Sequence, residues 1–240
     1  MNQPQFTIQD FGSANFENAS MRSAKLLRGS SWKKTRIVVV LPAGDMMSTK
    51  VALSQWNLIF PPNQPVLRIL AQGMEVGDAY SGAIQNILDH PELSTWEYML
   101  TVEHDNMPPQ DGVLNLIAQM EAHPEYSCIG GLYYTKGETG VAQIWGDPND
   151  PVLNFRPQLP QAGKLVECCG TGMGFNLWRI SMFKDPRLKK PWFKTIASRA
   201  EGVGTQDLNF WGDARKYGYR CAIDCNITVG HYDYQTDIVW

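Results

Sequence analysis

The chain has 240 residues, 43% of them hydrophobic, with eight tryptophans, which is enough to build an ordinary core within one domain or one domain with an extension. Its formal net charge of -3 excludes a global electrostatic pull towards nucleic acid or an anionic membrane, though not a local basic patch. No run approaches the roughly 20 apolar residues of a membrane span, and the polar start MNQPQFTIQDFGSANFENAS lacks the apolar centre of a secretory signal, so a cytoplasmic protein is expected.

Residues 1–34 show mixed polarity and read as an N-terminal extension or arm, with MRSAKLLRGSSWKK as a candidate short helix; residues 35–240 read as the main domain. TRIVVVLPAG is a β-branched apolar run stopped by Pro42 and Gly44, the pattern of a central strand with a turn at its carboxyl end. The segment 46–60 fits a helix, VLRILAQG a second strand, and EVGDAYSGAIQNILDH a helix with Val76, Tyr80, Ala83, Ile84 and Ile87 on one stripe. The next unit, Thr95 to Met120, organises the rest: the apolar run Tyr98–Val102 stops at Glu103-His104-Asp105-Asn106 and gives way to a helix over 110–122.

This β-α-β-α order predicts an α/β fold, three-layered, with a mixed, mostly parallel central sheet. YSCIGGLYYTKG is expected as a strand, VAQIWG as a short strand, and DPNDPVLNFRPQLPQAG as a proline-rich loop over the site. LVECCGTGMGFNLWRISMF reads as strand, glycine-rich turn, strand and short helix, followed by a cationic, mobile-looking segment. TQDLNFWGDARKYGY is a helix that Thr205 could cap, and RCAIDCNITVGHYD a last strand carrying His231 at its end. Five cysteines, an odd number with two adjacent, predict buried reduced thiols rather than a disulfide framework or a zinc site.

Several residues could carry chemistry, each with a plainer alternative. Glu103 and Asp105 sit at the carboxyl end of a strand, where open α/β sheets bind ligands, and could hold a metal or a ribose; acids after a strand are also ordinary loop residues. His231 offers an imidazole suited to a borderline divalent ion, or a structural histidine. Asp207 lies in the first turn of its helix, where the helix dipole keeps a carboxylate ionised, either as a base or simply as a favourable end charge. Gly170-Thr171-Gly172-Met173-Gly174 allows close backbone approach to a ligand without matching a phosphate loop, and a bulged strand would explain it equally. Lys184, Arg187, Lys189, Lys190, Lys194 and Arg199, with Trp192 and Phe193 among them, form either a solvated face or a grip for an anionic acceptor.

Taken in order, these motifs resemble the nucleotide-sugar glycosyltransferases of GT-A fold, particularly the large inverting family with a D-x-D motif and similar phage-encoded enzymes. The likeness runs from about Thr35 to Asp233 through VVVLPAG, LTVEHDNMPPQD, GTGMGFNLWRISMF, PWF and GTQDLNFWGDARKYGYRCAIDCNITVGHYD. The resemblance implies Asp105 and His231 as ligands of a manganese or magnesium ion on the donor diphosphate, and Glu103 towards ribose or metal-bound water. It implies Asp207 as catalytic base, and Pro42, Ala43, Gly44 and Asp78 facing the nucleotide. Gly170, Thr171, Gly172, Trp192 and Gln206 are candidates for the acceptor and sugar side. Two positions depart from the pattern: Glu103 stands for the first aspartate and Gln206 for the glutamate before the base. The expected activity is inverting transfer from a nucleoside-diphosphate sugar to a hydroxyl of a saccharide, small molecule, protein or modified DNA base. A sugar-nucleotide-forming nucleotidyltransferase and a non-catalytic sugar- or nucleic-acid-binding module are the alternatives.

Overall fold

The structure, a computed structural model, describes residues 5–10, 35–62, 64–198 and 202–240. The strands are β1 (Gln5–Asp10), β2 (Ile37–Ala43), β3 (Val66–Gln72), β4 (Tyr98–Val102), β5 (Asn106–Met107), β6 (Cys128–Leu132), β7 (Leu165–Cys168), β8 (Phe175–Arg179), β9 (Ile196–Ser198), β10 (Gly202–Gly204), β11 (Cys221–Thr228), β12 (Gly230–Asp233) and β13 (Ile238–Val239). The helices are α1 (Thr49–Trp56), α2 (Val76–Asp89), α3 (Gly112–Ala122) and α4 (Gln206–Ala214).

Eight strands form one sheet in the order β1-β3-β2-β4-β8-β6-β11-β7. The pairings β2–β3, β2–β4 and β6–β11 are parallel, whereas β8 runs antiparallel to both β4 and β6. Five strands (β2, β3, β4, β6, β11) therefore share one direction, and β1, β7 and β8 oppose it. This is the expected mixed, mostly parallel α/β architecture. The candidate helix MRSAKLLRGSSWKK lies outside the described residues.

Alternation along the strands sorts side chains into two apolar layers, because successive Cβ atoms point to opposite faces. Val38, Val40, Leu67 and Ile69 join one cluster with Tyr80, Ala83, Ile84 and Ile87 of α2 and Phe210 and Trp211 of α4. Ile37, Val39 and Leu100 join the other with Val113, Leu116, Ile117 and Met120 of α3. Helices thus cover both faces, which is why strand β4 is buried at every position. At the centre of the first layer Trp178 is fully buried, stacked on Trp211 with ring centroids 5.3 Å apart, and its Nε1 donates to Thr101 Oγ1 at 3.2 Å.

Several local expectations change. The helix expected over 46–60 is shorter, Thr49–Trp56, because Ser48 caps it by accepting from the Lys50 N–H at 3.3 Å and Pro61 and Pro62 lie beyond. VAQIWG forms isolated bridges, Tyr134 to Ala142 and Trp145 to both Pro157 and Gly170, rather than a strand. The cationic segment contributes a short antiparallel pair, β9 with β10. The last strand is two: β11 stays in the main sheet, and after a register break beyond Asp224 the chain turns into β12, which pairs with β5 and β13 in a small separate sheet. All five cysteines are buried and unpaired.

Candidate active site

The candidate site grows from the carboxyl end of β4. Past Val102 the chain makes a tight turn closed by the Asn106 N–H donating to the Glu103 carbonyl at 3.1 Å, and the Gln55 amide of α1 clamps both ends by donating to the Glu103 and Asn106 carbonyls at 2.8 and 3.1 Å. This turn sends the two acids in different directions. Glu103 points inward, where the Tyr80 hydroxyl donates to its Oε1 at 3.4 Å and its own N–H reaches the Gly174 carbonyl at 3.1 Å. Asp105 faces the small sheet.

The break between β11 and β12 is what delivers His231. Gly230 pairs with Met107 and His231 with Asn106, while the Tyr232 N–H donates to the Asp105 carbonyl at 2.7 Å. A Cβ on Gly230 would come within 2.5 Å of a Val239 side-chain methyl, so the glycine leaves room for β13 to pack closely on β12. The result places His231 Nε2 3.3 Å from Asp105 Oδ2. On the far side of the ring, His231 Nδ1 lies 2.7 Å from the Tyr134 carbonyl. A carbonyl only accepts, so Nδ1 carries a proton here; Nε2, when it too is protonated, donates to the carboxylate, and when it is not, its lone pair is free for an ion.

Lys136 completes this corner, its Nζ 2.6 Å from the same Asp105 Oδ2. Burial would raise the Asp105 carboxyl, but the hydrogen bonds from His231 and Lys136 outweigh it and hold the group well below the usual carboxylate range. Glu103 behaves oppositely. Burial, reinforced by the negative charges of Asp105 and Asp207, pushes it up to about 8.

Asp207 stands at the start of α4, 7% exposed. Its Oδ1 accepts from the Leu208 N–H at 2.9 Å. Thr205 makes no capping bond to the helix backbone; its hydroxyl bonds the Asp207 carboxylate instead. Burial nevertheless raises the Asp207 carboxyl above its ordinary value, with these hydrogen bonds opposing it. Its charge is felt at both Glu103 and the Tyr133 hydroxyl.

The remaining candidates fall in two places. Pro42 and Ala43 end β2, just beyond the Val40–Thr101 pair and so beside the chain leading into Glu103; Gly44 follows, exposed, and its carbonyl accepts from the Gln72 amide at 3.5 Å. Asp78 is exposed in the first turn of α2. Gly170, Thr171 and Gly172 are buried between β7 and β8: a Cβ on Gly172 would collide with the Tyr133 hydroxyl and the Gln143 amide oxygen, and one on Gly170 would approach Leu208, Phe155 and Trp211. Trp192 is 3% exposed, edge-on to Phe183, and borders a cleft of about 490 Å³ with Phe155, Leu208 and Lys216. Gln206 is half-buried at the first residue of α4. Of the basic cluster, Arg187 is bound to Asp185 at 2.6 Å, and Lys190 Nζ lies 2.9 Å from Gln85 Oε1 and 4.5 Å from the Trp192 ring centre; Arg199 lies outside the described residues.

Glu103, Asp105, His231 and Asp207, scattered over more than a hundred residues, thus share one electrostatic neighbourhood, whereas Gly170 and Trp192 gather around the outer face of α4. Sequence reasoning missed Lys136, Tyr80 and Tyr133 as members of the site. Tyr80 was legible only as an apolar stripe position, and Lys136 looked like any loop lysine.

Among the described residues no three His, Cys, Asp or Glu side chains converge on one point. Asp105 and His231 still fit two neighbouring positions around a divalent ion. Their 3.3 Å separation is close to the octahedral edge of about 3 Å that bonds of roughly 2.1 Å produce. The carboxylate and imidazole donors suit manganese or magnesium, and the Tyr134 carbonyl already orients the ring.

No protein-family model matches the chain, and no curated protein matches it in sequence. Solved structures do. A197 from STIV is 15% identical with a TM-score of 0.57, over 82% of this chain and 86% of that one. GalNAc-T7, solved with UDP, GalNAc and Mn2+, is 10% identical with a TM-score of 0.53, over 92% of this chain but only 53% of its own length. The chain spans about half of that second structure. These likenesses define the fold as that of GT-A glycosyltransferases. No helix among the described residues is long and apolar enough to cross a membrane.

Proposed function

We propose that the chain is a divalent-metal-dependent glycosyltransferase that moves a sugar from a nucleoside-diphosphate sugar to an acceptor hydroxyl with inversion. The observation that carries this is the meeting of Asp105 and His231, paired at 3.3 Å with the imidazole anchored from behind, together with a buried carboxylate at a helix start, Asp207, whose charge is felt at neighbouring Glu103. The GT-A fold supports it, as does the UDP and Mn2+ in the GalNAc-T7 structure that shares it.

In this reading Asp105 and His231 hold the ion, Glu103 lies towards the ribose or an ion-bound water, and Pro42, Ala43, Gly44 and Asp78 face the nucleotide. A divalent ion held there supplies charge neutralisation to the departing diphosphate. Asp207 accepts the proton of the acceptor hydroxyl, and its raised affinity for protons suits that task better than an ordinary exposed aspartate would. Thr205 and the Leu208 N–H hold the carboxylate in a fixed orientation at the start of α4. Gln206, at the first residue of α4, and Trp192 and the Gly170–Gly172 turn, which lie against that helix, are assigned to the acceptor and sugar side. The acceptor class, whether saccharide, small molecule, protein or modified DNA base, is left to experiment.

The test is a thermal-shift screen of nucleoside diphosphates and nucleotide sugars, with and without Mn2+, followed by product analysis of any hit. Stabilisation by a nucleoside diphosphate only when Mn2+ is present, and a product of inverted anomeric configuration, are expected. Release of pyrophosphate from a nucleoside triphosphate would replace this reading with a nucleotidyltransferase. Binding without turnover of any donor would reduce it to a binding module.

A further inference from the structure

The hairpin 133–141 touches the Asp105–His231 pair twice. Thr135 and Val141 close its base, the Thr135 N–H donating to the Val141 carbonyl and the Val141 N–H to Thr135 Oγ1, both at 2.9 Å. On the near strand, the Tyr134 carbonyl anchors His231 Nδ1 at 2.7 Å. Two residues on, Lys136 places its ammonium 2.6 Å from Asp105 Oδ2, the very oxygen that faces His231 Nε2 at 3.3 Å. One short element therefore aims one candidate ligand and occupies the other.

Lys136 has no second ion pair among the described residues; its ammonium lies 6.0 Å from the Tyr234 ring centre. Its charge is nevertheless felt at Glu103 and Asp233 as well as Asp105. The side chain is 30% exposed on the hairpin, against 15% for both Asp105 and His231, so it can withdraw without opening the core. A monovalent ammonium and a divalent ion cannot both use the same carboxylate oxygen at contact distance, since like charges at that range repel strongly.

We infer that Lys136 is a tethered cation that competes with the divalent ion for Asp105, and that on ion binding its ammonium is released to pair with the diphosphate of the nucleotide. The inference rests on the proposed ion-dependent, diphosphate-binding function. Lys136 is thus a positioning and anion-binding residue that makes ion and nucleotide binding interdependent. By linkage, a ligand that takes up the displaced ammonium strengthens the ion, and the ion strengthens that ligand.

The experiment measures Mn2+ binding to the full chain by the electron paramagnetic resonance of free Mn2+, and UDP binding by calorimetry at saturating Mn2+. Wild type is compared with Lys136→Met, Lys136→Gln and Asp105→Asn. Removing the competitor is expected to tighten Mn2+ alone about tenfold, within the usual range of coupling between sites, and to weaken UDP several-fold. Opposite signs are the signature, because damage to the hairpin would weaken both together through loss of the Tyr134 anchor. Mn2+ affinity unchanged or weaker in both Lys136 variants, with Asp105→Asn still abolishing it, overturns the role of Lys136 and leaves the ion site standing. Tighter Mn2+ with unchanged UDP overturns the release to diphosphate. Mn2+ bound by neither wild type nor the Lys136 variants, with or without UDP, overturns the ion-dependent function and this inference together.

Discussion

Replacing Asp207 by asparagine separates a catalytic carboxylate from a structural one. The carboxylate accepts from the Leu208 N–H at 2.9 Å and from the Thr205 hydroxyl, and an asparagine Oδ1 can accept both bonds. What the variant loses is charge: roughly 1 kcal/mol of charge assistance across those bonds, set against relief from holding a carboxylate that is 7% exposed. The two nearly cancel, so unfolding free energy at neutral pH is expected within about 1 kcal/mol of wild type, or above it.

The pH dependence carries a definite sign. Burial raises the folded-state affinity of Asp207 for a proton above the unfolded value. Its contribution to stability is therefore fully present below the unfolded pKa of about 3.9 and is lost as pH rises through the folded value. Asp207→Asn should gain most over wild type at neutral pH and lose that advantage in acid. Turnover should behave in the opposite way, falling by about 100- to 10,000-fold, or ~2.7 to 5.4 kcal/mol of barrier, the usual share of a general base. Urea unfolding between pH 4 and 8, alongside sugar transfer to the acceptor the donor screen identifies, reads both quantities. A variant that is clearly less stable at pH 7 and keeps more than a tenth of wild-type kcat would refute the reasoning.

Other outcomes follow from the same geometry. Wild-type kcat should fall on the acid side at a pH above that of an ordinary aspartate, since Asp207 must be deprotonated to accept a proton; a rate that stays flat down to pH 4 would remove it as base. Asp105→Asn should abolish any Mn2+-dependent rise in melting temperature, measured with Mn2+ alone, while leaving the metal-free far-UV spectrum intact. Gly146→Ala should cost more than about 1 kcal/mol in urea unfolding, because φ there is 73° and the added Cβ would collide with the Asn154 carbonyl. Trp178→Ala should cost about 3 to 5 kcal/mol, as it empties the space between Trp211, Phe193 and Phe210 and leaves Thr101 without its indole donor.

Much of the fold was legible in the sequence because it rests on local periodicity. The β-branched run of β2, the two-sided burial of β4 and the apolar stripe of α2 each announce their element, and their alternation implies a parallel core. Glu103, Asp105, His231 and Asp207 could each be singled out as a residue type at the end of an element. Their shared neighbourhood could not be derived from spacing.

Three decisions belonged to the tertiary structure. Strand β8 inserts antiparallel between β4 and β6, which puts the Gly174 carbonyl against Glu103; an antiparallel insertion leaves no mark on local periodicity. The stretch RCAIDCNITVGHYD reads as one strand, but after Thr228 the chain leaves the main sheet and Gly230 and His231 pair with β5, and that departure carries His231 to Asp105. Lys136 became part of the site through a hairpin whose base is closed by backbone bonds, so its side chain had no pattern to betray it. Sequence by itself determined most of the central strands and the helices between them, since periodicity depends on near neighbours along the chain. Only the tertiary structure decided which of their ends meet, because that depends on strand order and on contacts between residues more than a hundred positions apart.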